Sequence, residues 1–186
     1  MNPIFAAALE IQRFCRDRAW PFCIIGGVAV GRWEEPRLTQ DVDVSLLTGW
    51  GSERPIVDQL LSGFAPRRGD SREFALRHRV LLVQSSSGVP IDIALAAMPF
   101  EERAIQRASD YPIGGGESIV TCSAEDLIVF KVFAGRPQDW LDVEGIVTRQ
   151  GDRIDRRQIR EELGPLLELK EDPDASRRLE ALFRGP

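Results

Sequence analysis

The stretch IIGGVAVGRWEEPRLTQDVDVSL at residues 24–46 constrains the fold of this chain more than any other. The apolar run Phe22–Ile25 reads as a short strand that enters Gly26-Gly27, and Val28-Ala29-Val30 reads as the first turn of a helix. A loop then leads to Asp41-Val42-Asp43-Val44. Side chains alternate along a strand, so Asp41 and Asp43 fall on one face and Val42, Val44 and Leu46 on the other. The two aspartate Cα atoms are then about 6.5 Å apart. Paired carboxylates at that spacing suit oxygen-ligated divalent cations. The glycine pair offers backbone that a ligand can approach, at a helix start where N–H groups favour an anion. Taken singly, Asp-x-Asp and Gly-Gly are ordinary features of a half-solvated strand and a turn. Their order and distance together make them informative.

Length and composition narrow the classes. With 186 residues the chain fits one domain, or one domain with a helical extension. A composition 43% hydrophobic and 28% charged is that of an ordinary globular protein. The net charge of −5 argues against a surface devoted to nucleic acid. His78 is the single histidine, so a histidine-based zinc site and a Ser-His-Asp hydrolase both lack their parts. Cys15, Cys23 and Cys122 have no metal-type spacing and read as buried small hydrophobes in a reducing, cytoplasmic compartment. No apolar run approaches the length of a membrane span, and the N-terminus lacks a leader pattern, so no membrane partner is expected.

Along the chain, Asn2 with Pro3 opens a helix whose stripe is Ile4, Ala8, Ile11 and Cys15. A further helix begins at Ser52 or Glu53 and runs through Leu61. Phe64 leads into a polar stretch with Arg67, Arg68 and Arg72, and a short helix is expected at residues 73–77. Residues 80–84 and 89–95 read as two strands of a hairpin turning at residues 85–88. Helix is expected at residues 100–108, then a flexible loop at Gly114-Gly115-Gly116 and a brief strand at Ile119-Val120. Beyond Ser123, which with Asp126 resembles a capping box, the pattern is helical throughout. The expected class is α+β: residues 1–122 form a core of mixed sheet flanked by helices, and residues 123–186 form a small helical part packed on it.

The pattern of strand, Gly-Gly, helix, loop and Asp-x-Asp strand resembles the DNA polymerase beta-like nucleotidyltransferase superfamily. That resemblance calls for a third carboxylate on a later strand, and Val89-Pro90-Ile91-Asp92-Ile93-Ala94 supplies Asp92, opposite in face to Ile91 and Ile93. Four segments, GG at residues 26–27, RLTQDVDV at 37–44, VPIDIA at 89–94 and SAEDLIVFKVFAGRPQDWLD at 123–142, together resemble the bacterial nucleotidyltransferases grouped with AbiEii-type toxins. The resemblance implies that Asp41, Asp43 and Asp92 are the catalytic carboxylates and hold two magnesium ions. It further implies that Gly26 and Gly27 contact the triphosphate, that Lys131 binds or neutralises phosphate, and that Asp139 positions Lys131 or the acceptor. Arg37, close in sequence to the Asp-x-Asp, is expected to help with phosphate charge. Lys131 stands among Val129, Phe130, Val132 and Phe133 and is expected to face a cleft. One departure is that Val28 follows the glycines where a serine is familiar, so backbone N–H groups must carry the phosphate contact.

The implied reaction is transfer of a nucleoside monophosphate from a nucleoside triphosphate to a hydroxyl. RNA such as a tRNA end, a protein side chain and an aminoglycoside-type small molecule are the acceptors that the sequence leaves open. A cognate antitoxin is the partner implied by the toxin branch. A catalytically silent binding partner of the same fold is the alternative from another class, and a nucleic-acid-binding module using the arginines is a third.

Overall fold

The computed structural model describes residues 2–35 and 38–184. Two compact units divide the chain: Met1–Ala29 with Leu38–Cys122, and Val30–Arg37 with Ser123–Pro186.

The first unit is built on a mixed sheet. Its strands are β1 (Phe22–Ile25), β2 (Val42–Leu47), β3 (Ala65–Pro66), β4 (Val80–Gln84), β5 (Pro90–Ala96), β6 (Ser109–Gly114) and β7 (Glu117–Thr121). Among the described residues the spatial order is β3-β4-β5-β2-β1-β7-β6. The β4–β5 hairpin is antiparallel as expected, and β5 lies parallel to β2. This one pairing decides the rest, because it sets Asp43 directly opposite Asp92. On its other side β2 pairs antiparallel with β1, with Asp43 opposite Ile25.

One face of the sheet carries the main core. Val42, Val44, Leu46, Leu81, Val83, Ile91 and Ile93 are all buried there with Ala8, Ile11 and Cys15 of α1 (Pro3–Arg16) and Val57 and Leu60 of α3 (Glu53–Gly63). The α1 stripe thus packs as its spacing predicts, and Asn2 caps the helix by accepting the Ile4 N–H at 2.9 Å. Burial pushes the Cys15 thiol up to about 12, so it behaves as a small hydrophobe. All three cysteines are free and buried.

Two elements depart from the sequence expectation. The expected loop at residues 114–116 is the turn of a hairpin, since Ser109–Gly114 is a strand paired antiparallel with β7. The polar stretch after Phe64 begins with the two-residue strand β3, paired to β4. Both are edge strands and both contain proline, Pro66 and Pro112, which is tolerated only where a ladder N–H is not needed. A proline and a glycine run hide the period-two signal on which a strand is recognised. After β3 comes α4 (Ser71–His78), and α5 (Pro99–Arg107) follows β5.

Helices make up the second unit. These are α6 (Ala124–Ala134), α7 (Pro137–Gln150), α8 (Arg156–Lys170) and α9 (Pro173–Arg184), joined by the C-terminal part of α2 (Gly26–Trp33). The starts follow local chemistry. The Ser123 Oγ accepts the Asp126 N–H at 3.1 Å, Asp155 accepts from Arg157 and Gln158, and Asp172 accepts from Ala175. Gly135 closes α6 at φ 72°, a backbone that favours glycine. The Gln150 amide donates to the Trp33 carbonyl at 2.6 Å, which ties α2 to α7. Among the described residues no helix is long and apolar enough to cross a membrane.

Candidate functional site

The acid-bearing face of the sheet is the one opposite the main core. Asp43 on β2 and Asp92 on β5 are register partners on adjacent parallel strands, so their backbones are about 4.8 Å apart. Asp41 stands one residue before β2 and two residues before Asp43, which puts it on the same face. Gly26 follows Ile25, the residue opposite Asp43, and begins α2. The sequence-predicted acids and glycines of the first unit are therefore gathered at one place. Arg37 lies outside the described residues.

Gly26 adopts φ +62°, and a Cβ built there would run into the Asp43 carboxylate. Only glycine lets the start of α2 come this close to the acid. The first N–H groups of a helix lack intrahelical partners, so this start presents donors beside a carboxylate row. Asp41 is steadied by Thr39, whose hydroxyl donates to Asp41 Oδ1 at 3.1 Å. Asp92 is about one-third exposed and forms an ion pair with Arg67. Burial pushes the Asp92 carboxyl above its ordinary range, and the Asp41 charge adds to this, while Arg67 pulls the other way without cancelling it.

Three carboxylates on one face form a hard-oxygen donor set, suited to magnesium and unsuited to softer metals. Asp41, Asp43 and Asp92 are the residues that would hold such an ion. Among the described residues, no three acidic, histidine or cysteine side chains are drawn together as a cage. Asp92 is instead turned toward Arg67. Donor type and backbone register fit the cation.

Lys131 and Asp139 belong to the second unit. Lys131 does not face a cleft: its side chain is 8% exposed, and Nζ lies 2.9 Å from Asp139 and 2.8 Å from Asp142. Two buried carboxylates, Asp142 and the Asp139 that the resemblance sets beside it, take up the charge of this lysine among apolar neighbours. Asp139 and Asp142 are three apart on α7 and so share a face, which is the signal that could have added Asp142 to the pair. Arg136 also donates to Asp139, at 2.7 Å. Burial alone would raise the Asp139 carboxyl, but the hydrogen bonds and charges of Arg136 and Lys131 outweigh it and hold it below the usual carboxylate range.

No protein-family model matches this sequence, and no curated protein matches it. Solved structures do. The antigenic nucleotidyltransferase-like protein from Paracoccidioides brasiliensis superposes with a TM-score of 0.51 at 16% identity, over 95% of this chain and 91% of that one. The antibiotic-resistance factor ANT(2'')-Ia superposes with a TM-score of 0.52 at 16% identity, over 91% of this chain and 94% of that one.

Two variants test this geometry. Gly26→Ala is expected to cost more stability in urea unfolding than Gly115→Ala. Both residues have positive φ, worth about 1–2 kcal/mol, but only Gly26 has Asp43 in the way. Equal costs would mean that the close approach to Asp43 is not real. Lys131→Met is expected to destabilise by about 3–5 kcal/mol at neutral pH, since it removes the buried cation that Asp139 and Asp142 share. The held-down Asp139 contributes stability above pH 3.8 that is lost as pH falls through its lowered value, so the penalty should shrink on acidification. A penalty independent of pH would exclude the charge network as its cause. The chain is thus an α+β protein whose mixed sheet has the fold of these nucleotidyltransferase-like structures.

Proposed function

We propose that this chain is a nucleotidyltransferase that moves a nucleoside monophosphate from a nucleoside triphosphate to a hydroxyl, with magnesium as its cofactor. The observation that carries this reading is the register of Asp43 with Asp92 on parallel strands, beside the glycine start of α2. Asp41, Asp43 and Asp92 would hold two magnesium ions. When bound, the ions supply charge stabilisation for the entering and leaving oxygens of an in-line displacement.

The chain's own residues account for the remaining work. Backbone N–H groups at Gly26 and Gly27 bind the triphosphate, since Val28 has no hydroxyl to offer. Asp92 is read as the group that takes the proton of the attacking hydroxyl. The acceptor oxygen forms a bond to the α-phosphorus, the bond to the β-phosphate oxygen breaks, and pyrophosphate leaves. Arg37, close in sequence to the Asp-x-Asp, is read as adding phosphate charge, whereas Lys131, held between Asp139 and Asp142, is read as structural. In the same reading the chain belongs to the AbiEii-like branch, acts in the cytoplasm on RNA such as a tRNA end, and has a cognate antitoxin. A small-molecule acceptor is the second reading, favoured by the structural likeness to an antibiotic-resistance factor.

Transfer itself is the test. Incubated with each α-labelled nucleoside triphosphate, magnesium and cellular RNA, the chain is expected to leave label on RNA, whereas γ-label stays in pyrophosphate. Asp92→Ala should abolish the transfer while the protein stays folded. Label on added aminoglycosides instead of RNA would select the second reading. Nucleotide binding without transfer to RNA, protein or small molecule would leave a silent binding partner as the better account.

A further inference from the structure

Arg67 is a cation on the acid face that the family resemblance does not assign. It follows β3 at the sheet edge, and its backbone N–H donates to the Leu82 carbonyl at 3.0 Å, so the β3–β4 ladder extends one step to reach it. Leu82 is the register partner of Asp92, and Asp92 is that of Asp43. A row therefore crosses the sheet from Arg67 past Leu82 to the two acids. The Arg67 guanidinium closes that row by pairing with Asp92.

The neighbouring arginine shows that this placement is specific. Arg68 donates to both oxygens of Asp70, at 2.8 and 3.1 Å, and lies 4.2 Å above the Phe74 ring. It serves the start of α4. Arg67 alone of the two is directed at the carboxylate row, and its side chain is 28% exposed, so solvent-borne anions can reach it. A guanidinium has five donors, and among the described residues Asp92 is the side-chain partner that engages Arg67.

We propose that Arg67 is a phosphate-binding residue of the site that exchanges partners during the cycle. In the free protein it neutralises Asp92 and competes with a divalent cation for that carboxylate. When the cation enters with the triphosphate, the guanidinium passes from Asp92 to phosphate oxygens, two of which its planar fork can bind as it binds the two oxygens of a carboxylate. The exchange needs no movement of the fold, because the edge strand holds the Arg67 backbone against β4 throughout. This inference rests on the nucleotidyltransferase reading above.

The test uses the full chain with Mn²⁺ and inorganic tripolyphosphate, so that no choice of base is needed. Free Mn²⁺ is read by electron paramagnetic resonance, and tripolyphosphate affinity in saturating Mn²⁺ is read by titration calorimetry. Arg67→Met is expected to bind Mn²⁺ alone about tenfold more tightly and Mn²⁺-tripolyphosphate about tenfold more weakly, the scale of one charge-assisted hydrogen bond. Arg67→Lys, which keeps the charge and loses the fork, should fall between the parent and Arg67→Met in both measurements. It also serves if the methionine variant folds poorly. Unchanged Mn²⁺ affinity, or a loss of both affinities together, would overturn the partner exchange while leaving the transferase reading in place. If the folded parent bound neither Mn²⁺ nor its tripolyphosphate complex, the transferase reading would fall, and this inference with it.

Discussion

The parallel pairing of β2 with β5 is the constraint on which the candidate site depends. It is made possible by the β4–β5 hairpin, which returns the chain so that Val42, Asp43 and Val44 face Ile91, Asp92 and Ile93 residue for residue. Alternation then works on both strands at once. The valines and isoleucines bury against α1 and α3, and the aspartates are forced together on the other face. A slip of one residue in either strand would carry its apolar set off the core face, so the burial energy of the core is what holds the carboxylates in register.

Crowding acids has a cost that the structure meets locally. Asp41 accepts from Thr39, Asp92 pairs with Arg67, and the glycine at the start of α2 admits helix N–H groups close to Asp43. In the helical unit the same problem is met by burial: Lys131 lies between Asp139 and Asp142, with Arg136 on Asp139. Two cations and two anions balance there, and removing one partner exposes the desolvation cost of the others.

Much of this was legible in the sequence, for physical reasons that can be named. The Asp-x-Asp alternation, the hairpin before Asp92 and the capped helix starts at Asn2, Ser123, Asp155 and Asp172 are local signals, and each element forms where its signal lies. The edge strands β3 and β6 were not legible, because Pro66 and Pro112 interrupt the alternation and partner strands define them. The surroundings of Lys131 were misjudged for a related reason. Asp139 was expected beside it, but an apolar local context does not reveal that Asp142 joins them and closes the lysine off. Arg67 is the extreme case, since its approach to Asp92 depends on an edge strand of two residues.

The central claim is that the register-paired acids receive divalent cations together with a nucleoside triphosphate. Anomalous diffraction from crystals grown with Mn²⁺ and an α,β-methylene nucleoside triphosphate tests it most directly. The account predicts manganese peaks bound by the Asp43 and Asp92 carboxylates, triphosphate oxygens at the Gly26-Gly27 backbone, and Asp92 released from Arg67. Manganese and nucleotide ordered elsewhere on the protein, with Asp92 still paired to Arg67, would contradict it.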